Sequence, residues 1–337
     1  MKKLLSIVLA VMLAVCACSF AVADEGTKLK VALITDTGGI HDESFNQLAW
    51  NGLNKAKEEL GIEVQYFESV TEADYEGNLE QAFDEGYDLI IANGFLMADA
   101  VTEACANHPE QLYAIIDNAA VAENCVGIQF ATEQCSYLCG VAAATMSQTG
   151  KVGFVIGMVS PTMNTFGVGY FAGVLATNPD AEIFAYNANS FVDVAAGKAA
   201  AIDMYAQGAD VVYHAAGGVG IGVIEAASEQ GKFAIGVDQD QNYLAPTAVI
   251  ASALKKVDAG VFNVCEALFN GTLTGGDVFY DITTASVDIA TTGGLLSEDA
   301  LTAVAAAKAA ILDGTLVVPN TVEAFAAEFG EGIYTLE

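Results

Sequence analysis

From Lys30 onward, short runs rich in β-branched residues alternate with longer helical stretches, at a period of roughly 25 to 30 residues. This alternation constrains the fold most. A strand, a helix and a second strand close into a βαβ unit, and repeated units build a parallel sheet with helices on both faces. Strand candidates are residues 31–35, 63–67, 89–92, 113–116 and 126–129. Amphipathic helices lie between them, such as residues 45–60 with Gly61 as the capping glycine. A second series opens at Lys151, with strand candidates at 152–156, 182–186, 211–214 and 233–237, each again feeding a helix.

Two successive series of similar size predict an α/β protein of two lobes, each a doubly wound, mostly parallel sheet. No Pro-rich or Ser-rich linker separates them near residues 130–132. Independent domains are joined by flexible linkers, whereas hinged lobes pass the chain directly from sheet to sheet. The tail reads as an amphipathic helix over residues 252–269, an extended crossing over 278–289 and a final helix over 297–312. One helix for each lobe, reached by repeated crossings, gives a multi-crossing hinge. Lobe I then comprises residues 28–131 plus 252–282, and lobe II residues 132–251 plus 283–337.

The N-terminus sets the compartment. Lys2 and Lys3 precede an apolar run from Leu4 to Val15 and then small residues, the pattern of a secretory signal peptide over residues 1–23. Ala21-Val22-Ala23 suits cleavage before Asp24, while Val15-Cys16-Ala17-Cys18 offers an alternative lipidation site at Cys18. Cleavage after Ala23 is favoured, because lipid on Cys18 would leave only a short, partly apolar spacer before the first strand. An exported protein is expected, periplasmic or on the outer face of the cell membrane.

Acidic residues outnumber basic ones by 43 to 12, and every basic residue is a lysine. Nucleic acid is therefore excluded as a partner, since phosphate backbones are held by clustered Lys and Arg. Anionic ligands are disfavoured as well, because a bidentate guanidinium is the usual means of repaying their desolvation. A neutral or cationic ligand fits better. Cys105, Cys125, Cys135, Cys139 and Cys265 follow the signal peptide. Cys135 and Cys139 share one helical face with no His or second Cys pair to complete a zinc set, which makes them buried small side chains. A Cys105–Cys125 bridge stays open at this stage.

In open α/β sheets, ligands sit beyond the carboxyl ends of the strands. The first strand delivers Asp36 and then Asp42, Ser44, Phe45 and Asn46; the fourth delivers Asp117. The second lobe delivers Phe166, Phe191, Gly217 after Tyr213-His214, and Asp238 to Gln241, while Lys255 comes from the hinge region. Carboxylates can accept hydrogen bonds from adjacent ribose hydroxyls, an amide can read a base edge, and aromatic faces can stack a planar heterocycle. The stretch Gly217-Gly218-Val219-Gly220-Ile221-Gly222 lacks dinucleotide spacing, and no Gly-Lys-Ser/Thr follows it. Close approach of backbone to a ligand explains it with less. Nucleophile-elbow and metal-pair motifs are missing from the chain, so no cofactor, metal or catalytic residue is assigned. A carboxylate mechanism through Asp36, Asp42, Asp117 and Asp238, as in a nucleoside hydrolase, is the enzymatic alternative.

The segment Thr35-Asp36-Thr37-Gly38-Gly39-Ile40-His41-Asp42-Glu43-Ser44-Phe45-Asn46-Gln47 resembles the basic membrane protein, or PnrA-like, family of substrate-binding proteins. Further matches follow in family order at residues 115–117, 166–173, 190–193, 213–222, 235–241 and 252–258. The resemblance implies a type I periplasmic-binding fold, a purine nucleoside as ligand and an ABC permease as membrane partner, with the receptor itself a monomer and not an enzyme. By the same resemblance, Phe45 and an aromatic of the second lobe sandwich the base, Asp117 reads the base edge or sugar, and Asp238 with Lys255 holds the ribose hydroxyls. Phe191 is preferred as the second ring, with Phe166 and Tyr213 as alternatives, and Gln241 as a further candidate. The chain departs from the family pattern at Asn118, Met158, Ser160 and residues 161–165. A sugar or furanose signal is the alternative ligand.

Overall fold

The computed structural model describes residues 28–336. The expected signal peptide, with Cys18 and the Ala23 cleavage site, lies outside the described residues. One sheet joins β1 (Lys30–Ile34), β2 (Glu63–Phe67), β3 (Leu89–Ala92), β4 (Leu112–Ile116), β5 (Cys125–Phe130) and β11 (Gly276–Tyr280) in the order β11-β5-β4-β3-β1-β2, all parallel. The other joins β6 (Lys151–Ile156), β7 (Glu182–Asn187), β8 (Val211–Ala215), β9 (Phe233–Asp238), β10 (Val249–Lys255) and β12 (Val287–Ala290) in the order β12-β10-β9-β8-β6-β7. Here β12 runs antiparallel to β10 and the remaining pairs are parallel.

The strand sequences explain their places. Central strands such as β3 (LIIA) and β8 (VVYHA) are buried on both faces, as helix-covered parallel strands must be, and read as apolar runs, broken in β8 only by His214. The edge strands β2 (EVQYF) and β7 (EIFAYN) keep polar residues at partly exposed positions. In the first lobe the helices are α1 (Phe45–Leu60), α2 (Asp74–Asp84), α3 (Ala98–Asn107) and α8 (Val257–Phe269), the last packed on α1. The second lobe carries α4 (Thr132–Met146), α5 (Pro161–Thr177), α6 (Val194–Ala206), α7 (Val219–Gln230), α9 (Glu298–Leu312) and α10 (Val322–Phe329). There α4 packs on both α5 and α9, α6 on α7, and α10 on α5.

The chain passes between lobes three times: at Ala131, at Lys256, and between Tyr280 and Val287. The crossings are tied to one another. Ala131 N–H donates to the Tyr280 carbonyl at 2.8 Å and Lys256 N–H to the Ser286 carbonyl at 2.8 Å. Ile282 N–H donates to Gln134 Oε1 at 2.9 Å.

Two sequence expectations need correction. Residues 252–269 are not one helix: Ser252 to Lys255 end β10, in register with β9 and β12, and the helix begins at Val257. Ser252-Ala253-Leu254-Lys255 is composed of helix-compatible residues with no breaker before Val257, but burial in the middle of a sheet overrides that weak local preference. The chain therefore returns to the first lobe at Lys256 and not at Ser252. The extended crossing expected over 278–289 is instead the end of β11, a 3₁₀ turn at Ile282–Thr284, and β12. The five cysteines are buried and free, Cys105 and Cys125 included. No described helix is long and apolar enough to cross a membrane.

Candidate ligand-binding site

The carboxyl ends of both sheets converge on one cavity lined by residues of both lobes, the place where open α/β sheets put their ligands. On the first-lobe side the organising residue is Asn46, in the first turn of α1. Its Oδ1 accepts from Asp36 N–H at 3.2 Å and Asn93 Nδ2 at 2.8 Å, and its Nδ2 donates to Asp36 Oδ1 at 2.6 Å and Asp42 Oδ2 at 3.0 Å. All four hydrogen-bonding positions of the amide are thus committed to protein. Asn46 clamps the ends of β1 and β3 to the start of α1.

Asp42 accepts from the backbone N–H groups of Ser44, Asn46 and Gln47, which satisfies the open donors at the start of α1. Asp36 spends Oδ1 on Asn46 and on Gly38 N–H, leaving Oδ2 facing the cavity near Gly94. Burial pushes the Asp36 carboxyl up to about 6, with Asp42 and Asp117 adding repulsion and the hydrogen bonds from Gly38 and Asn46 opposing it.

Second-lobe groups reach across to complete the site. Asp238 ends β9 and accepts from Ser44 Oγ of the first lobe. Burial raises its carboxyl to about 6 against the opposing pull of Lys255 and Ser44. Lys255, at the end of β10 and 2% exposed, donates its ammonium to Asp117 at the end of β4. Its Nζ lies 4.5 Å from the Phe45 ring centroid, 5.5 Å from that of Phe130 and 5.6 Å from that of Phe166. Asp117 and Asp238 both adopt left-handed backbone, with φ of 64° and 66°. Non-glycine residues visit this region seldom, Asp and Asn most readily, and such strain clusters at functional sites. The Phe191 ring packs over Gly157 and meets Phe95 of the first lobe edge-on at 6.4 Å.

Of the residues singled out from sequence, Asp36, Asp42, Phe45, Asn46, Asp117, Phe166, Phe191, Gly217, Asp238 and Lys255 line the cavity. Tyr213 does not: it is buried in the second-lobe core, against Phe154 and Tyr170 with its hydroxyl on Ser136 Oγ. Its position within β8, and not beyond the strand, points it into that core. Gln241 is fully buried behind the cavity wall, bonded to His214 and to the Glu43 carbonyl. Within the glycine stretch, Gly217 lines the cavity, whereas Gly220 and Gly222 serve packing, since a side chain at Gly220 would collide with the His214 ring and one at Gly222 with the Val194 carbonyl. Sequence reasoning missed Gly94, Phe95, Leu96 and Met163. The strand-end rule already contained the first three, which directly follow β3; Met163 has no comparable signal.

Two sheets facing across a triple crossing, with the cavity at their carboxyl ends, define a two-lobed solute-binding protein of type I fold. The comparisons with known proteins agree. The family model for "ABC transporter substrate-binding protein PnrA-like" matches residues 28–321. The ABC transporter nucleoside-binding protein BmpA of Lactococcus lactis subsp. cremoris is 36% identical over 317 residues, 87% of this chain and 90% of that protein. Basic membrane protein A1 of Borrelia garinii subsp. bavariensis is 41% identical over 263 residues, covering 76% and 77% of the two chains. Among solved structures, an ABC transporter solute-binding protein from Aeropyrum pernix K1 superposes with a TM-score of 0.81 at 28% identity, covering 89% of this chain and 96% of that one. The chain belongs to the PnrA-like family of ABC transporter substrate-binding proteins.

Proposed function

We propose that this protein is an exported receptor that closes its lobes around a purine nucleoside and presents it to an ABC permease for import. The observation that carries the reading is the composition of the cavity wall: Asp36, Asp42, Asp117 and Asp238 line it together with one ammonium, Lys255, and the rings of Phe45, Phe95, Phe166 and Phe191. With Asp42 spent on the start of α1, the carboxylate oxygens of this wall that the protein leaves without a partner are one each on Asp36, Asp117 and Asp238, which accept and do not donate. Such a wall suits a ligand with ribose hydroxyls and base N–H groups at its polar positions and an uncharged heterocycle between rings. An anion would meet carboxylates. The similar Lactococcus protein is described as nucleoside-binding, which supports the same ligand class here.

In this reading Phe45 and Phe191 flank the base, Asp36 and Asp117 take its N–H edge, and Asp238 with Lys255 holds the ribose. The test is calorimetry with a panel of guanosine, inosine, adenosine, uridine, cytidine, ribose and arabinose, with the bound ligand recovered and analysed. Purine nucleosides should bind most tightly and be recovered intact, with Asp238→Ala and Phe45→Ala each weakening binding by at least about tenfold. Release of free base would replace the receptor by a hydrolase. Tight binding of a sugar alone would overturn the ligand. Loss of labelled nucleoside uptake in cells lacking the protein tests delivery to a permease.

A further inference from the structure

We infer that affinity is set in part by a latch outside the cavity, in which Gln239, Gln241 and Tyr243 of the second lobe grip Glu43 of the first. Glu43 does not line the cavity, yet its backbone is left-handed at φ 54°, a conformation a glutamate adopts only under constraint. That turn presents its carbonyl to the opposite lobe. Gln239 Nε2 donates to it at 2.9 Å and Gln241 Nε2 at 3.0 Å, while the Tyr243 hydroxyl donates to the Glu43 carboxylate. Gln239 Nε2 also donates to Gln47 Oε1 at 3.1 Å.

The Gln241 amide is aimed by the second-lobe core. Its Oε1 accepts from Val237 N–H at 3.0 Å, which settles which end of the amide faces inward and turns the NH₂ toward Glu43. The same oxygen lies 3.0 Å from His214 Nε2. Because the oxygen can only accept, Nε2 carries the proton, and Nδ1 is left as a buried nitrogen without a partner. His214 is thus a positioning residue: a rigid line runs from it through Gln241 to a carbonyl of the other lobe. Every bond to Glu43 along this line exists only while the lobes touch.

The consequence is a division of labour. Cavity residues decide which ligand binds, whereas the latch stabilises closure and multiplies the affinity for every ligand by one factor. The inference rests on the receptor reading, although the latch itself is indifferent to the ligand. Tyr243→Phe, Gln239→Ala and their double variant test it, since both positions are partly exposed and spare the core. Affinities and dissociation rates are measured for guanosine, inosine and adenosine, and closed excursions of the ligand-free protein are counted by single-molecule energy transfer between dyes on the two lobes. Each single substitution should weaken binding by about twofold to tenfold, the usual worth of a hydrogen bond, by the same factor for all three nucleosides and through faster dissociation. Fewer closed excursions should accompany it. Unchanged affinity and dissociation in the double variant would overturn the latch, and so would a factor that differs among nucleosides, because the residues would then be reading the ligand. If wild-type protein binds no nucleoside, the ligand assignment fails. In that event the excursion count still decides the latch, which falls if the double variant closes as often as wild type.

Discussion

Replacing Lys255 by methionine tests the electrostatic design of the cavity most directly. Methionine keeps the length and apolar contacts of the side chain and removes the ammonium that bridges from β10 to Asp117 of the first lobe. Four carboxylates then line the closed cavity with no cation among the residues facing them. Breaking one partner from a buried ion pair costs about 3–5 kcal/mol, because the other charge is left unpaired. The penalty belongs to closure and not to folding, since separation of the lobes returns Asp117 to water. Affinity should therefore fall by about a hundredfold to a few thousandfold while the ligand-free melting temperature barely moves. Adding Asp117→Asn removes the orphaned charge and should recover at least about tenfold of that loss. Calorimetry on wild type, Lys255→Met, Asp117→Asn and the double variant closes the cycle. Binding by Lys255→Met within about threefold of wild type would refute the argument, as would a double variant no better than the single one. A drop of about 6–12 °C in the ligand-free melting temperature would instead assign the pair to folding.

Acidity should favour closure of the ligand-free protein. The Asp36 and Asp238 carboxyls rise from an ordinary 3.8 to about 6 when buried, so the closed form binds protons more tightly than the open one. This contribution to closure is fully present below 3.8 and is lost as pH rises through about 6. Scattering or interlobe energy transfer between about pH 7.5 and about pH 5 should show more closed molecules at the acid end, and Asp36→Asn with Asp238→Asn should flatten the response; a response that is unchanged in that double variant would refute its origin. Gly157→Ala should weaken nucleoside binding through Phe191 alone, because the added Cβ would lie 2.3 Å from a Phe191 ring carbon. Calorimetry should find the loss in wild type and not in a Phe191→Ala background, and an undiminished loss in that background would break the connection.

The sheet architecture was legible because buried parallel strands are forced into apolar runs and helices into amphipathic ones. The tail was harder to read. Ser252 to Lys255 has the local preferences of a helix and becomes a strand because β9 and β12 flank it, a fact fixed by residues far away in sequence. At the site, strand-end positions announced themselves, and ten of the singled-out residues meet at one cavity. Their tasks were not legible. Asn46 has the chemistry of a ligand contact but spends every polar atom on Asp36, Asp42 and Asn93, and Gln241 has the same chemistry but faces Glu43. Residue type limits what a side chain can do, whereas its partners, set by the tertiary fold, decide which of those things it does.

The two sheets also explain why the site has two chemically different ends. They share one strand order, so β3 corresponds to β8, β4 to β9 and β1 to β6. The first two pairs end alike: Gly94 and Gly217 both have positive φ, at 123° and 53°, and Asp117 and Asp238 match to within two degrees. Duplicated geometry thus supplies two backbone approaches and two carboxylates, one facing Lys255 and the other Ser44. The third pair differs. After β1 the chain places Thr35 and then Asp36, held by Asn46, whereas after β6 it places Gly157 and then Met158, and the missing side chain of Gly157 makes room for the Phe191 ring. A symmetric site would suit a symmetric ligand. Placing an aromatic face at this one strand end breaks the symmetry of the wall: each lobe contributes two rings, Phe45 and Phe95 against Phe166 and Phe191, but the first contributes Asp36, Asp42 and Asp117 and the second only Asp238, with Lys255 beside it.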